Sequence, residues 1–206
     1  STLSTTIVPG IARAIGAGAD VRYGLADHKD FANGGAEYAL TVLQPLNADP
    51  ARAQAATSRL VASGGGDGPE AMVPAMHALI SGYGIAEYRG TATRRTTTSD
   101  CGGDATAFGW GCFSPGRVPI LVLFSDADWH NGPSTPMTNF YSLAPATATY
   151  DQLVTELNRR QAYFVGIDVG STRDTYVQSE QLARDTGTLD AMGNPIVFNN
   201  PGGGPE

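Results

Sequence analysis

Pro119-Ile120-Leu121-Val122-Leu123-Phe124-Ser125 is an unbroken apolar run that ends in an acidic cluster, Asp126-Ala127-Asp128-Trp129-His130. A short apolar run without polar alternation predicts a strand of a parallel sheet, buried on both faces. Residues 163–169 repeat the pattern, and residues 195–199 give a shorter version. Helical stretches separate them. Thr149-Tyr150-Asp151-Gln152 is a capping box ahead of Leu153, Val154 and Leu157 at helical spacing. Residues 171–186 read as the next helix, stopped at Gly187. Strands alternating with helices predict an α/β fold: a mostly parallel, doubly wound sheet with helices on both faces.

Upstream, Met72, Met76, Leu79 and Ile80 form the apolar stripe of a helix entered at Pro69 and running to about Ser81. Pro74 inside that span removes a backbone donor. Residues 49–62 are Ala-rich and helical, ended by Gly64-Gly65-Gly66. Residues 21–26 read as a strand, Asn33-Gly34 as a hairpin turn, and residues 37–43 as the antiparallel partner at the sheet edge. Leu3, Ile7, Ile11 and Ile15 share one helical face, interrupted at Pro9-Gly10. Residues 1–198 therefore read as one domain. Residues 87–116 are a polar, Gly-rich insertion loop, 131–148 a second irregular loop, and 199–206 a flexible tail.

Composition narrows the function classes. The chain of 206 residues is 41% hydrophobic and 16% charged, enough for a full core. A net charge of −7 disfavours nucleic acid and anionic membranes as partners. No apolar run approaches the ~20 residues that insertion into a membrane needs. Lys29 is the sole lysine among 13 basic residues, a composition that suits a GC-rich bacterial gene. Cys101 and Cys112 lie within the Gly-rich loop. A disulfide is favoured over two free buried thiols. It would contribute roughly 3 kcal/mol by closing a short loop, and implies an oxidising compartment. Zinc is disfavoured because no second Cys/His pair flanks them.

Three carboxylate-bearing loops are candidates for one site. Asp67 and Glu70 have two readings. One is a helix capping box. The other is a pair of cation ligands, in which the preceding glycines allow close backbone approach. Asp126 follows the last apolar residue of a buried strand, where open α/β sheets bind ligands. Desolvating it without a partner costs several kcal/mol, which a cation or backbone amides would offset. Asp27 and Asp30, around His28-Lys29, end the first strand and could reach the same edge. His28, His77 and His130 are scattered and offer no catalytic triad. The stretch Val165-Gly166-Ile167-Asp168-Val169-Gly170-Ser171-Thr172 resembles the phosphate loop of actin-like ATPases. Only 34 residues follow it, so it reads as a strand-to-helix turn capped by Ser171 or Thr172.

Arg22-Tyr23-Gly24-Leu25 with the cluster ending at Asp30, residues 64–70 and residues 124–132 together resemble a von Willebrand factor A-type domain. The integrin-β-like and bacterial secreted branch is the nearest. The resemblance implies a metal-ion-dependent adhesion site at the sheet's carboxyl edge. Glu70 and Asp126 would bind Mg²⁺ or Ca²⁺, with Mn²⁺ as a substitute. Asp67, Pro69 and Asp30 or Asp27 would serve an adjacent site. It also implies a bacterial extracellular or cell-surface protein whose partner offers a carboxylate. The family's Asp-x-Ser-x-Ser motif occurs nowhere in the chain. The resemblance therefore implies an N-terminally incomplete domain, or a first strand supplied by an upstream or partner segment. Two alternatives stand beside it. One is a Mg²⁺-dependent phosphatase or phosphotransferase using Asp126-x-Asp128, which resembles the haloacid dehalogenase motif but has no lysine after Lys29. The other is a metal-free scaffold.

Overall fold

The computed structural model describes residues 8–15, 19–30, 38–61, 68–83, 85, 101–133, 147–170 and 173–199. The Asn33-Gly34 turn, Gly64-Gly65-Gly66, Asp67, Ser171, Thr172 and residues 86–100, 134–146 and 200–206 lie outside these. The fold is α/β. Its described strands are β1 (Tyr23–His28), β2 (Leu40–Asn47), β3 (Ile120–Ser125), β4 (Tyr163–Asp168) and β5 (Val197–Asn199). Its described helices are α1 (Val8–Ile15), α2 (Pro50–Ala56), α3 (Met72–Ser81), α4 (Tyr150–Arg159) and α5 (Arg173–Asp185). β3-β4-β5 form a parallel sheet in that order, and β1-β2 form a separate antiparallel pair.

The register pairs Leu121 with Phe164 and Leu123 with Gly166, so these residues share one face. Against that face pack Met72, Met76 and Ile80 of α3, Leu153 and Leu157 of α4, and Leu182 of α5. Each fully buried side chain of this size contributes about 1.5–3 kcal/mol of hydrophobic stabilisation. The opposite face is different. Ile120, Val122 and Tyr163 are 57%, 42% and 47% exposed. The expectation that this apolar strand is buried on both faces is therefore wrong. The described helices that join this core line one side of the sheet.

Several boundaries also shift. α3 begins at Met72 instead of Pro69, with Ala71 as N-cap and no side-chain cap. Pro74 thus falls in the first turn, where its missing N–H would have had no intrahelical acceptor. That late start explains why the proline is tolerated. α3 ends at Gly82, whose left-handed backbone returns its N–H to the Ala78 carbonyl. α2 is shorter than residues 49–62 and runs into a 3₁₀ turn at Thr57–Arg59. Asp49 caps it, accepting from the Ala51 N–H at 2.9 Å. α1 runs from Val8 through Pro9 and Gly10 without a break, and Ile11 on its expected inner face is exposed. α4 carries the expected capping box, with both Thr149–Gln152 hydrogen bonds formed.

The described half of the insertion is not a loosely attached loop. Trp110, Cys112 and Phe113 are buried, and Phe108 and Phe113 stack at 5.6 Å across an antiparallel bridge. Gly109 sits so close to α3 that a Cβ there would lie 2.4 Å from the Leu79 carbonyl oxygen. Cys101 and Cys112 form the expected disulfide. Aromatic residues in this stretch outweigh its glycine content, because they have core surface to reach.

Candidate functional site

The carboxyl end of β3 opens into residues 126–130. Ser125 shapes the turn, its hydroxyl accepting from the Ala127 N–H at 3.2 Å. Trp129 is fully buried, edge-on to Phe164 at 6.0 Å, and its backbone N–H donates to the Gln178 side-chain oxygen at 2.9 Å. Burial of the largest side chain in the loop anchors everything on either side of it.

Two backbone hydrogen bonds then join this loop to the Glu70 segment. The Glu70 N–H donates to the Asp128 carbonyl at 2.7 Å, and the His130 N–H donates to the Glu70 carbonyl at 2.9 Å. They make a single parallel bridge between Glu70 and Trp129. The next residue, Ala71, donates its N–H to the Lys29 carbonyl at 3.0 Å. Three segments far apart in sequence thus meet at one rim. Asp30 is buried there, with its Oδ1 at 3.8 Å from Nε2 of the buried His130. That separation is longer than a hydrogen bond.

His28 lies in β1, not in the loop after it. Burial pushes its pKa down, against the upward pull of the Asp27 and Asp126 carboxylates. Asp126 itself is exposed, as a binding residue at a rim can be. Gly170 makes room for its backbone, since a Cβ there would lie 2.7 Å from the Asp126 carbonyl oxygen. Asp27 is committed elsewhere. It accepts from the Tyr38 hydroxyl at 2.5 Å, and burial together with that carboxylate raises the Tyr38 pKa to about 12. Of the two first-loop carboxylates, Asp30 is the one drawn into the rim.

The capping-box reading of Asp67 and Glu70 does not hold for Glu70, which precedes α3 and pairs with Trp129. Asp67 lies outside the described residues, as do the candidate caps Ser171 and Thr172. His77, on α3, is half-buried and stacked on Tyr83 at 6.0 Å, a structural role.

Asp168 escaped the sequence reading because it sits inside the Gly-rich turn that resembled a phosphate loop. It ends β4 beside Ser125, is 1% exposed, and accepts from the Gly170 N–H at 2.9 Å. Its Oδ2, and Oδ1 of Asp128, meet no hydrogen-bond donor among the described residues. The Asp128 carboxyl is pushed above the usual range by burial, then by the Asp174 and Asp168 carboxylates. One signal could have found this cluster. Thr175, Gln178 and Ser179 share the buried stripe of α5 with Leu182 and Ala183, a polar run on what should be an apolar face.

The rim therefore carries carboxylate oxygens, the donor type that Mg²⁺ and Ca²⁺ take. Among the described residues, no three His, Cys, Asp or Glu side chains already stand together as an ion cage. No family model matches the chain, and no curated protein matches it.

Proposed function

We propose that this rim is a cation-dependent capture site of a von Willebrand factor A-type, doubly wound domain. In this reading the chain is an adhesion or ligand-binding part of a bacterial secreted or surface protein and is not an enzyme. Glu70 and Asp126 would hold Mg²⁺ or Ca²⁺, with Asp30 behind them. The bound ion would supply a Lewis-acidic position for a carboxylate of the partner protein. The supporting observation is the pair of hydrogen bonds that fixes Glu70 against the loop beginning at Asp126. Those bonds hold the Glu70 backbone in register, so its carboxylate need not be ordered by the ion alone. One oxygen each of Asp128 and Asp168, without a donor among the described residues, lies at the same edge. The disulfide is compatible with an extracellular location, and no described helix is long and apolar enough to cross a membrane.

Calorimetric titration with MgCl₂, CaCl₂ and MnCl₂, paired with thermal unfolding, tests this. Saturable binding that raises Tm in the parent and is lost in Asp126→Asn and Glu70→Gln is the expected result. Absence of both signals in the parent would overturn it. So would hydrolysis of a phosphomonoester abolished by Asp126→Asn, which would assign the Asp126-x-Asp128 pair to phosphoryl chemistry instead.

A further inference from the structure

α3 and α4 pack against each other, and beside their contact lies a cavity of about 560 Å³. Small-ligand sites span roughly 300–1,000 Å³ and often lie between helices. Pro74 and His77 of α3 line it, followed by Tyr83 and the buried Ile85. From α4 come Asp151, Thr155 and Glu156, side chains four or five residues apart on one helical face. Thr147 and Ala148 complete the lining. Asn131 holds them in place, its side-chain N–H groups donating to the Thr147 hydroxyl at 2.8 Å and the Ala148 carbonyl at 3.1 Å.

The lining is acidic. It holds two carboxylates and neither lysine nor arginine. Arg159 and Arg160 bind Glu156, so its charge is already met. Asp151 forms no hydrogen bond or ion pair among the described residues. A first-turn aspartate favours the α4 dipole, which explains its residue type but not its place on a cavity wall. His77 adds no positive charge. Burial pushes its pKa below the ordinary 6.5, against the upward pull of Glu156, so the imidazole is neutral at neutral pH. Tyr83 supplies aromatic surface. Its ring stacks on the imidazole, with centroids 6.0 Å apart and planes 8° from parallel. The ring is nevertheless 68% exposed, so stacking sets its orientation without using up its surface.

We infer that this cavity is a binding site for a small organic cation of the substituted-ammonium class. Asp151 supplies the countercharge, and the Tyr83 ring the cation–π contact. Pro74 and Ile85 offer apolar surface to the alkyl groups on nitrogen. A bare metal ion gains nothing from such surface and takes more oxygen ligands than this lining provides. An anion would meet the Asp151 carboxylate with no free positive charge to offset it. None of the lining residues is a carboxylate of the rim, so the inference is independent of the proposed function and is tested with chelator present.

The probe is choline, with neohexyl alcohol, in which carbon replaces the charged nitrogen, as the neutral control. An NMR titration follows the backbone amide signals of Gln152 and Thr155. The expected result is saturable shifts with choline and none over the same range with the alcohol. Asp151→Asn should weaken choline binding by about ten-fold through loss of the charge contact. Tyr83→Leu should weaken it by about three-fold, and Tyr83→Phe should retain it because the ring face remains. Asp151 and Tyr83 are exposed, so these variants should keep the parent's Tm to within a few degrees. Absence of shifts with choline would overturn the inference. So would equal shifts with the alcohol, which would make the cavity an apolar recess. Unchanged choline binding in both Asp151→Asn and Tyr83→Leu would put the bound cation elsewhere and overturn it too. Should either variant not fold, the comparison of choline with the alcohol on the parent decides.

Discussion

The two faces of the parallel sheet are separated by one layer of backbone, yet Phe164 is fully buried while its neighbour Tyr163 is 47% exposed. Both belong to strands that read as uniformly apolar. On the first face, three helices supply a close-packed cover, and Gly166 and Asp168 sit beneath α5. On the second, the described residues supply little cover. The difference shows that an apolar run specifies a strand that could be buried twice, while the placement of helices specifies whether it is. Ile120, Val122 and Tyr163 are the apolar side chains that this difference leaves in water.

The sharpest way to break that contrast is a pair of truncations on β4. Phe164→Ala should cost about 3–5 kcal/mol in urea unfolding, because it empties a packed site. Tyr163→Ala, one residue away, should cost less than about 1 kcal/mol, as for a half-exposed surface residue. Comparable losses would mean that both faces are covered in solution. Next in size is the disulfide. It ties Cys101 to the turn that places Phe113 in the core on the covered side and Trp110 in a second buried cluster beside Leu40 and Ala75. Replacing both cysteines by serine should cost about 3 kcal/mol, measured by unfolding with and without reductant. A loss below about 1 kcal/mol would show that aromatic packing alone holds the turn.

The smallest effect sharpens the comparison by pH. The covered side contains a mostly buried carboxylate, Glu156 of α4. Arg159 grips it at 2.8 and 2.5 Å, and Arg160 at 3.1 Å while stacking on Phe108. Burial pushes the Glu156 pKa up, but the two arginines outweigh it and leave it below 4.5. A carboxyl with a depressed folded pKa stabilises above its unfolded value and loses that stability as pH falls through the folded one. Glu156→Gln should therefore unfold at a lower temperature than the parent above pH 4.5, with the gap closing on acidification. A gap that stays constant with pH would show that shape, not charge, is what Glu156 contributes.

Much of this was legible from local pattern. The apolar runs located β3 and β4, and the Thr149–Gln152 box located α4 with its inward Leu153 and Leu157. The Asp126 and Glu70 loops were singled out for their carboxylates, and their segments do meet. What was misread depended on partners distant in sequence. Of the two readings of Glu70, the capping one fails because its backbone is claimed by Asp128 and His130. Asp168 looked like part of a glycine turn, and only the β4–α5 packing exposes it as a buried carboxylate. Residues 101–116 looked like a loop because glycine dominates them, whereas Trp110 and Phe113 decide their fate.

Periodicity, capping chemistry and cysteine spacing were set by neighbours within a few residues, so the chain itself determined its helices, strands and disulfide. Which carboxylates share a rim and which face of the sheet meets water were decided only in three dimensions. Burial and hydrogen bonding depend on what arrives from elsewhere in the chain, and no local window contains that information.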